Sequence, residues 1–257
     1  MWYQIKSYLN FLLKSSNQHG VHSPFVYDLI TQCFYDRKNH SAYQKIKAFR
    51  DDLFKNTERI EITDFGAGSR VFKSNHRKIA AIAKNAGITY KRQKLLYRIK
   101  AYFQPENVLE LGTSLGLGTS AMAFTEGSQK ITTVEGCENT AQIADIMFKK
   151  HQLNQIDLHK ATFEDFFKTI ASEKYNLVYI DGNHNKKNTL QYFEFLLDRV
   201  NEDSVLIFDD IYWSKEMTEA WMQIIQNPKV TVSIDTFYWG IVFFRKEQRK
   251  QHFTIRL

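Results

Sequence analysis

Val108-Leu109-Glu110-Leu111-Gly112-Thr113-Ser114-Leu115-Gly116-Leu117-Gly118-Thr119 decides how this chain reads. A short, nearly continuous apolar run stops at a glycine, and a helical pattern opens a few residues later. Glycine tolerates positive φ and lets a ligand approach the backbone closely. The free N–H groups where the helix begins suit a carboxylate or a phosphate. On its own this loop does not separate one nucleotide-like ligand from another, and Gly112-x-x-x-Gly116-x-Gly118 also has the spacing of short-chain dehydrogenases.

Outward from the loop, the chain beyond Asn107 alternates between strand and helix. Apolar, β-rich runs sit at 107–112, 130–135, 156–160, 175–180 and 204–209, with helical patterns at 117–126, 138–152, 162–172 and 188–200 between them. Such strands between helices imply a parallel sheet covered on both faces, and right-handed crossovers make it doubly wound. The end differs: residues 230–235 and 240–244 are joined too closely for a crossover, so they must form an antiparallel hairpin. Five parallel strands closed by a hairpin give an α/β fold with a mostly parallel, seven-stranded sheet.

The first 100 residues read differently. Helical patterns cover 2–14, Pro24 to Phe34, 42–55, 75–85 and 90–103, with Ser23 as an N-cap and Pro24 at the first helical position. This part holds 19 Lys/Arg against 7 Asp/Glu, whereas the remainder holds 16 against 21. The organisation expected is a helical, basic N-terminal cap over residues 1–100 and a catalytic domain over 101–257. The cap would recognise substrate, and its amphipathic helices offer a homodimer surface. The two cysteines, Cys33 and Cys137, make no framework and suit a reducing compartment. With no secretory leader and no apolar run of about 18 residues, a cytoplasmic chain without a membrane span is expected. Within the cap, Asp64-Phe65-Gly66-Ala67-Gly68-Ser69-Arg70 reads as a turn lying over the active site.

Strand count, order and final hairpin together resemble the class I S-adenosylmethionine-dependent methyltransferases. Glu110, two residues before Gly112, is similar to the acid opening their first motif, which orients the amino end of the cofactor. Glu135 ends the next strand, and a carboxylate there can accept both ribose hydroxyls. The resemblance makes Glu110, Gly112, Thr113, Ser114, Gly116, Glu135, Gly136, Thr162, Phe163 and Asp181 the expected cofactor contacts, with Thr162 and Phe163 at the adenine. A short-chain dehydrogenase would need Tyr-x-x-x-Lys after the loop, yet Tyr43…Lys47 and Tyr90…Lys94 both precede it.

Two further strand exits are acidic, Asp181-Gly182-Asn183-His184 and Asp209-Asp210-Ile211-Tyr212-Trp213. Three carboxylates meeting there would repel one another, and Mg²⁺ or another divalent cation relieves this with oxygen ligands. The pattern resembles metal-dependent O-methyltransferases of the catechol and caffeoyl-CoA kind, which implies Asp181, Asp209 and Asp210 as metal ligands. Where catechol-type enzymes carry a lysine base, this chain has His184, which suits a base near neutral pH or an additional metal ligand. His184 and Asp181 are thus the expected catalytic pair, with Lys186 and Lys187 close behind. Trp213, Tyr212 and Tyr238 would frame an apolar acceptor pocket. The expected reaction is O-methylation of a small molecule. The alternative, an RNA methyltransferase or binding module using the basic cap, lacks an Asn-Pro-Pro-Tyr-type motif and any RNA-binding signature.

Overall fold

The computed structural model describes residues 2–63, 65, 74–127, 129–170 and 173–257. In chain order these form α1 (Trp2–Lys14), α2 (Pro24–Asp28) running on as a π-helical stretch over Leu29–Phe34, and α3 (Ala42–Lys55). Next come β1 (Arg59–Glu61), β2 (His76–Lys78), α4 (Ile79–Asn85), α5 (Tyr90–Phe103), β3 (Val108–Leu111) and α6 (Leu117–Ala123). They are followed by β4 (Ile131–Glu135), α7 (Glu138–Lys150), β5 (Ile156–Lys160), α8 (Phe163–Thr169), β6 (Leu177–Ile180) and α9 (Lys186–Leu197). The chain closes with β7 (Val205–Asp209), α10 (Lys215–Gln226), β8 (Val232–Asp235), β9 (Trp239–Phe243) and β10 (Gln251–Thr254). The described residues fall into two compact units, Asp36–Ala171 and Met1–Tyr35 with Ser172–Leu257.

In the first of these units the strand order is β3-β4-β5, all parallel, with Val108 beside Ile131 and Glu135 beside Lys160. Every residue of β3 is buried, as a strand covered on both faces must be. The helices supply the rest of the core, where Ala42, Tyr43, Ile46, Tyr97 and Ala121 cluster. A small antiparallel hairpin, β1 with β2, stands apart from the main strands. It corrects the expectation of helix over 75–85, since helix begins only at Ile79. Three-residue strands without apolar alternation leave no periodic trace in a sequence.

In the other unit the order is β10-β8-β9-β7-β6. β6 and β7 are parallel, and β9 runs antiparallel to both β7 and β8, as the expected hairpin requires. β10, parallel to β8, was not expected. The two units hold eight main strands between them, so the seven-stranded count is one short while the mostly parallel α/β class stands. β10 is a short, partly exposed edge strand whose Gln251-His252-Phe253-Thr254 lacks a β-branched run. Ser23 caps α2 as read, its hydroxyl accepting from the Val26 N–H. Trp221, Trp239, Tyr179, Tyr192, Phe193 and Phe208 fill this core. Among the described residues no helix is long and apolar enough to cross a membrane.

Candidate active site

All the expected cofactor residues except Asp181 lie in the unit Asp36–Ala171, most of them where β3 and β4 end. Gly112, Ser114 and Gly116 all have positive φ, at 106°, 48° and 80°. The Gly112 and Thr113 N–H groups both donate to the Val134 carbonyl, which ties the loop to β4. At Gly116 a Cβ would lie 2.5 Å from Cε1 of Phe148. Left-handed backbone and filled space therefore both demand glycine there. Gly116→Ala should lose at least about 2 kcal/mol of stability through strain and overpacking. Chemical denaturation would read this, and an unchanged midpoint would contradict it.

Glu110 and Glu135 end up in different chemical states. Glu110 is 1% exposed. Its Oε2 accepts from the Thr119 hydroxyl and, at 2.6 Å, from the Thr133 hydroxyl. Thr113 lies 2.6 Å from Thr133, so with Thr133 already donating to Glu110, Thr113 must donate to it. Oε1 of Glu110 is buried with no hydrogen-bond partner. Burial pushes the Glu110 carboxyl up to about 7, opposed by the two hydroxyls and assisted by the charge on Glu135. Glu135, by contrast, has both oxygens engaged. Oε2 accepts from the Ser114 N–H at 2.7 Å and Oε1 from the Cys137 N–H at 2.8 Å. Burial raises its pKa, and the backbone donors pull it back. The carboxylate is thus held rigid at the strand end, the geometry that a ribose diol needs.

The other expected contacts are placed differently. Gly136 follows Glu135 and lies against Phe65. Otherwise the Asp64–Arg70 turn lies outside the described residues. Thr162 caps α8, its hydroxyl accepting from the Asp165 N–H at 3.1 Å. Phe163 is buried at the start of the same helix.

The second group stands in the unit Met1–Tyr35 with Ser172–Leu257. The Tyr179 hydroxyl, unnoticed in the sequence, lies 3.0 Å from Asp181 Oδ2 and 3.3 Å from Asp209 Oδ2. Its position on β6, two residues before Asp181, was the only signal. Asp209 Oδ1 accepts the Asp210 N–H at 2.9 Å. His184 Nε2 is 3.6 Å from Asp181 Oδ1, and its ring is 5.9 Å from that of Trp213. Asn183, His184 and Asp210 all have positive φ, strain that collects at functional turns. Lys186 is engaged with Glu219 at 2.8 Å. Tyr212 donates to Asp235 at 2.6 Å and stacks on Phe237, whose ring also meets Tyr238. Asp235 and Phe237 were not singled out in the sequence, because nothing local marks them.

The expected metal ligands are not gathered as a coordination set. Among the described residues no group of three or more His, Cys, Asp or Glu side chains is placed to hold a metal ion. A phenol joins Asp181 to Asp209 where a shared cation would be needed. The residues as they stand do not fit the ion.

Comparison with known proteins agrees with this geometry. Residues 109–211 match the family model described as a methyltransferase domain. No curated protein matches the sequence. Among solved structures, the chain resembles the methyltransferase PaMTH1 of Podospora anserina, an SAH-bound structure, at TM-score 0.60 and 12% identity, over 88% of this chain and 97% of that one. It also resembles the O-methyltransferase TomG of Streptomyces achromogenes, solved with SAM, at TM-score 0.57 and 14% identity, over 86% and 95%. The O-methyltransferase of Bacillus cereus, in complex with SAH, gives TM-score 0.54 and 16% identity, over 85% and 96%. The fold and the glycine loop thus resemble those of α/β methyltransferases. Residues 109–211, the part that matches a methyltransferase domain, carry the loop, both acids and the Asp181 and Asp209 turns. The resemblance to class I enzymes read from the sequence is borne out.

Proposed function

We propose that this chain transfers the methyl group of S-adenosylmethionine to a hydroxyl of a small-molecule acceptor. The observation that carries the reading is the pair of acids on neighbouring strands, Glu110 buried and Glu135 part-buried. Glu110 keeps one oxygen without a partner, and Glu135 is fixed by two backbone donors. A buried carboxylate lacking a partner is costly unless a cation completes it, and the ammonium of the donor's amino-acid end is such a cation. A rigid carboxylate one strand away suits a ribose diol. The complexes with SAM and SAH known among proteins of this fold support the same choice of donor.

When bound, the donor supplies an electrophilic methyl carbon. The remaining work is orientation and proton handling. In this reading Glu110, Gly112, Thr113, Ser114, Gly116, Glu135 and Gly136 hold and align the donor, and Thr162 and Phe163 are assigned to its base. In this reading His184, oriented by Asp181, takes the acceptor's proton as the oxygen attacks. Tyr212, Trp213 and Tyr238 face the acceptor. The acceptor leaves as a methyl ether, the donor as S-adenosylhomocysteine, and the proton passes to His184 and then to water. Residues 101–257 carry the chemistry and residues 1–100 contribute acceptor recognition. No step is assigned to a metal ion.

Calorimetry and thermal shift with S-adenosylhomocysteine test the reading directly. Ligand at 100 times its Kd should stabilise the protein by about 2.7 kcal/mol. Absence of both heat and shift, with NAD(P)H producing them instead, overturns it.

A further inference from the structure

Gly136 has no need of glycine on conformational grounds, because positive φ is confined to Gly112, Gly116 and Gly127 among the described glycines. Its constraint is steric. A Cβ at Gly136 would come within 2.9 and 3.0 Å of Cδ2 and Cε2 of Phe65. The phenyl ring thus occupies the side-chain space of the residue immediately after Glu135.

The segment leading to Phe65 is fastened to the same strand exit. The Asn139 amide donates to the Glu61 carbonyl at 2.8 Å. The Thr63 N–H donates to Cys137 Sγ at 3.3 Å, and that thiol reaches the Glu61 carbonyl at 3.8 Å. Cys137 is the residue whose N–H holds Glu135. One set of contacts therefore fixes the Glu135 carboxylate and carries the chain to Phe65. Nevertheless Phe65 remains 52% exposed. A large apolar ring, following a tethered segment at a strand tip and left half open to water, lies beside the residue after the carboxylate assigned to the ribose. An aromatic face next to a sugar-binding acid is suited to stacking on a base.

We propose that Phe65 is a cofactor-binding residue that stacks on the purine of the methyl donor. It lies outside residues 109–211, which match the methyltransferase domain, and gives the Asp64–Arg70 motif a contact at the donor site. The inference rests on the donor reading above and adds a specific residue to it.

The experiment is titration of S-adenosylhomocysteine into wild type, Phe65→Ala, Phe65→Leu and Phe65→Trp by calorimetry, with tryptophan emission followed in parallel. Phe65→Ala and Phe65→Leu should each bind on the order of tenfold more weakly, the usual consequence of removing a stacking ring. Phe65→Leu preserves apolar bulk and carries the test if the alanine variant folds poorly. Phe65→Trp should bind as wild type does, and its emission should be quenched by ligand beyond the change given by the four native tryptophans. Wild-type affinity in Phe65→Leu, or indifferent emission in Phe65→Trp, overturns the assignment. A wild-type protein that binds no S-adenosylhomocysteine fails one step earlier, at the donor reading, and takes this inference with it.

Discussion

Glutamine in place of Glu110 is expected to stabilise the ligand-free protein at pH 8 while weakening S-adenosylhomocysteine binding on the order of a hundredfold. Both effects follow from one oxygen. Burial holds the Glu110 carboxyl up at about 7, against 4.5 for the free side chain. Because the folded pKa lies above the unfolded one, the folded state binds the extra proton between those values. Stability contributed by the neutral acid is present below pH 4.5 and is lost as pH rises through 7. The ionised form then costs about 3 kcal/mol at pH 8. Glutamine removes that charge and can still accept from Thr119 and Thr133. Its amide nitrogen falls where Oε1 has no partner, so the desolvation of a neutral group returns roughly 1–2 kcal/mol of the gain.

The net expectation is a melting temperature higher by about 2–5 °C at pH 8. At pH 5, where the native carboxyl is already neutral, the gain should be gone and the variant should be no more stable than wild type. Binding should show the mirror image. If an ammonium completes Glu110, wild-type affinity falls as pH drops below 7, because the carboxylate must lose its proton before it can pair. In Glu110→Gln the profile should be flat across that range. Thermal shift and calorimetry at four or five pH values measure both halves. A variant no more stable than wild type at pH 8 removes the buried-charge argument, and a wild-type affinity independent of pH removes the ammonium from Glu110.

How much of this could be read in the sequence varies from residue to residue. The β3 strand, its glycine turn and the acid ending β4 were legible because each is local. A continuous apolar run, a glycine needing positive φ and a fixed spacing all survive in one dimension. The β8–β9 hairpin was legible because its short connection admits only one pairing. β10 was not, since edge strands satisfy half their backbone groups with water and need no apolar signature. The β1–β2 hairpin was hidden by three-residue strands, one of which offers His76-Arg77-Lys78 in place of apolar alternation.

At the site, residue types were easier to find than their states. Asp181 and Asp209 were found, but the tyrosine between them was not, because Tyr179 is one more apolar position on a strand until the adjoining carboxylates are placed. Their expected joint ligation of a metal rested on proximity along strand exits, which does not say what lies between. Phe65 sat inside a motif whose glycines drew attention while the aromatic residue did not. The sequence assigns Glu110 to the amino end and Glu135 to the sugar, but only the structure gives one an oxygen without a partner and the other two backbone donors.

That difference sets the opposite expectation for Glu135→Gln. An amide has one acceptor end, and Glu135 is held at both ends by donors. Turned one way, the new NH₂ faces the Ser114 N–H, formerly at 2.7 Å; turned the other way, it faces the Cys137 N–H, formerly at 2.8 Å. Either orientation opposes two donors and leaves a backbone N–H without its partner, at a cost of about 1–3 kcal/mol. Glu135→Gln should therefore be less stable than wild type under the conditions where Glu110→Gln is more stable. The loss of the Ser114 contact also loosens the loop at a residue with φ of 48°, a conformation that the Glu135 oxygen helps to maintain. Affinity for S-adenosylhomocysteine should fall on the order of a hundredfold, because an amide cannot accept two hydroxyl hydrogen bonds as a carboxylate does. Adenosine, which keeps the ribose and lacks the amino-acid end, separates the two acids: its binding should be weakened in Glu135→Gln and unchanged in Glu110→Gln. If adenosine is affected equally by both variants, the division of the donor between ammonium end and sugar end is wrong.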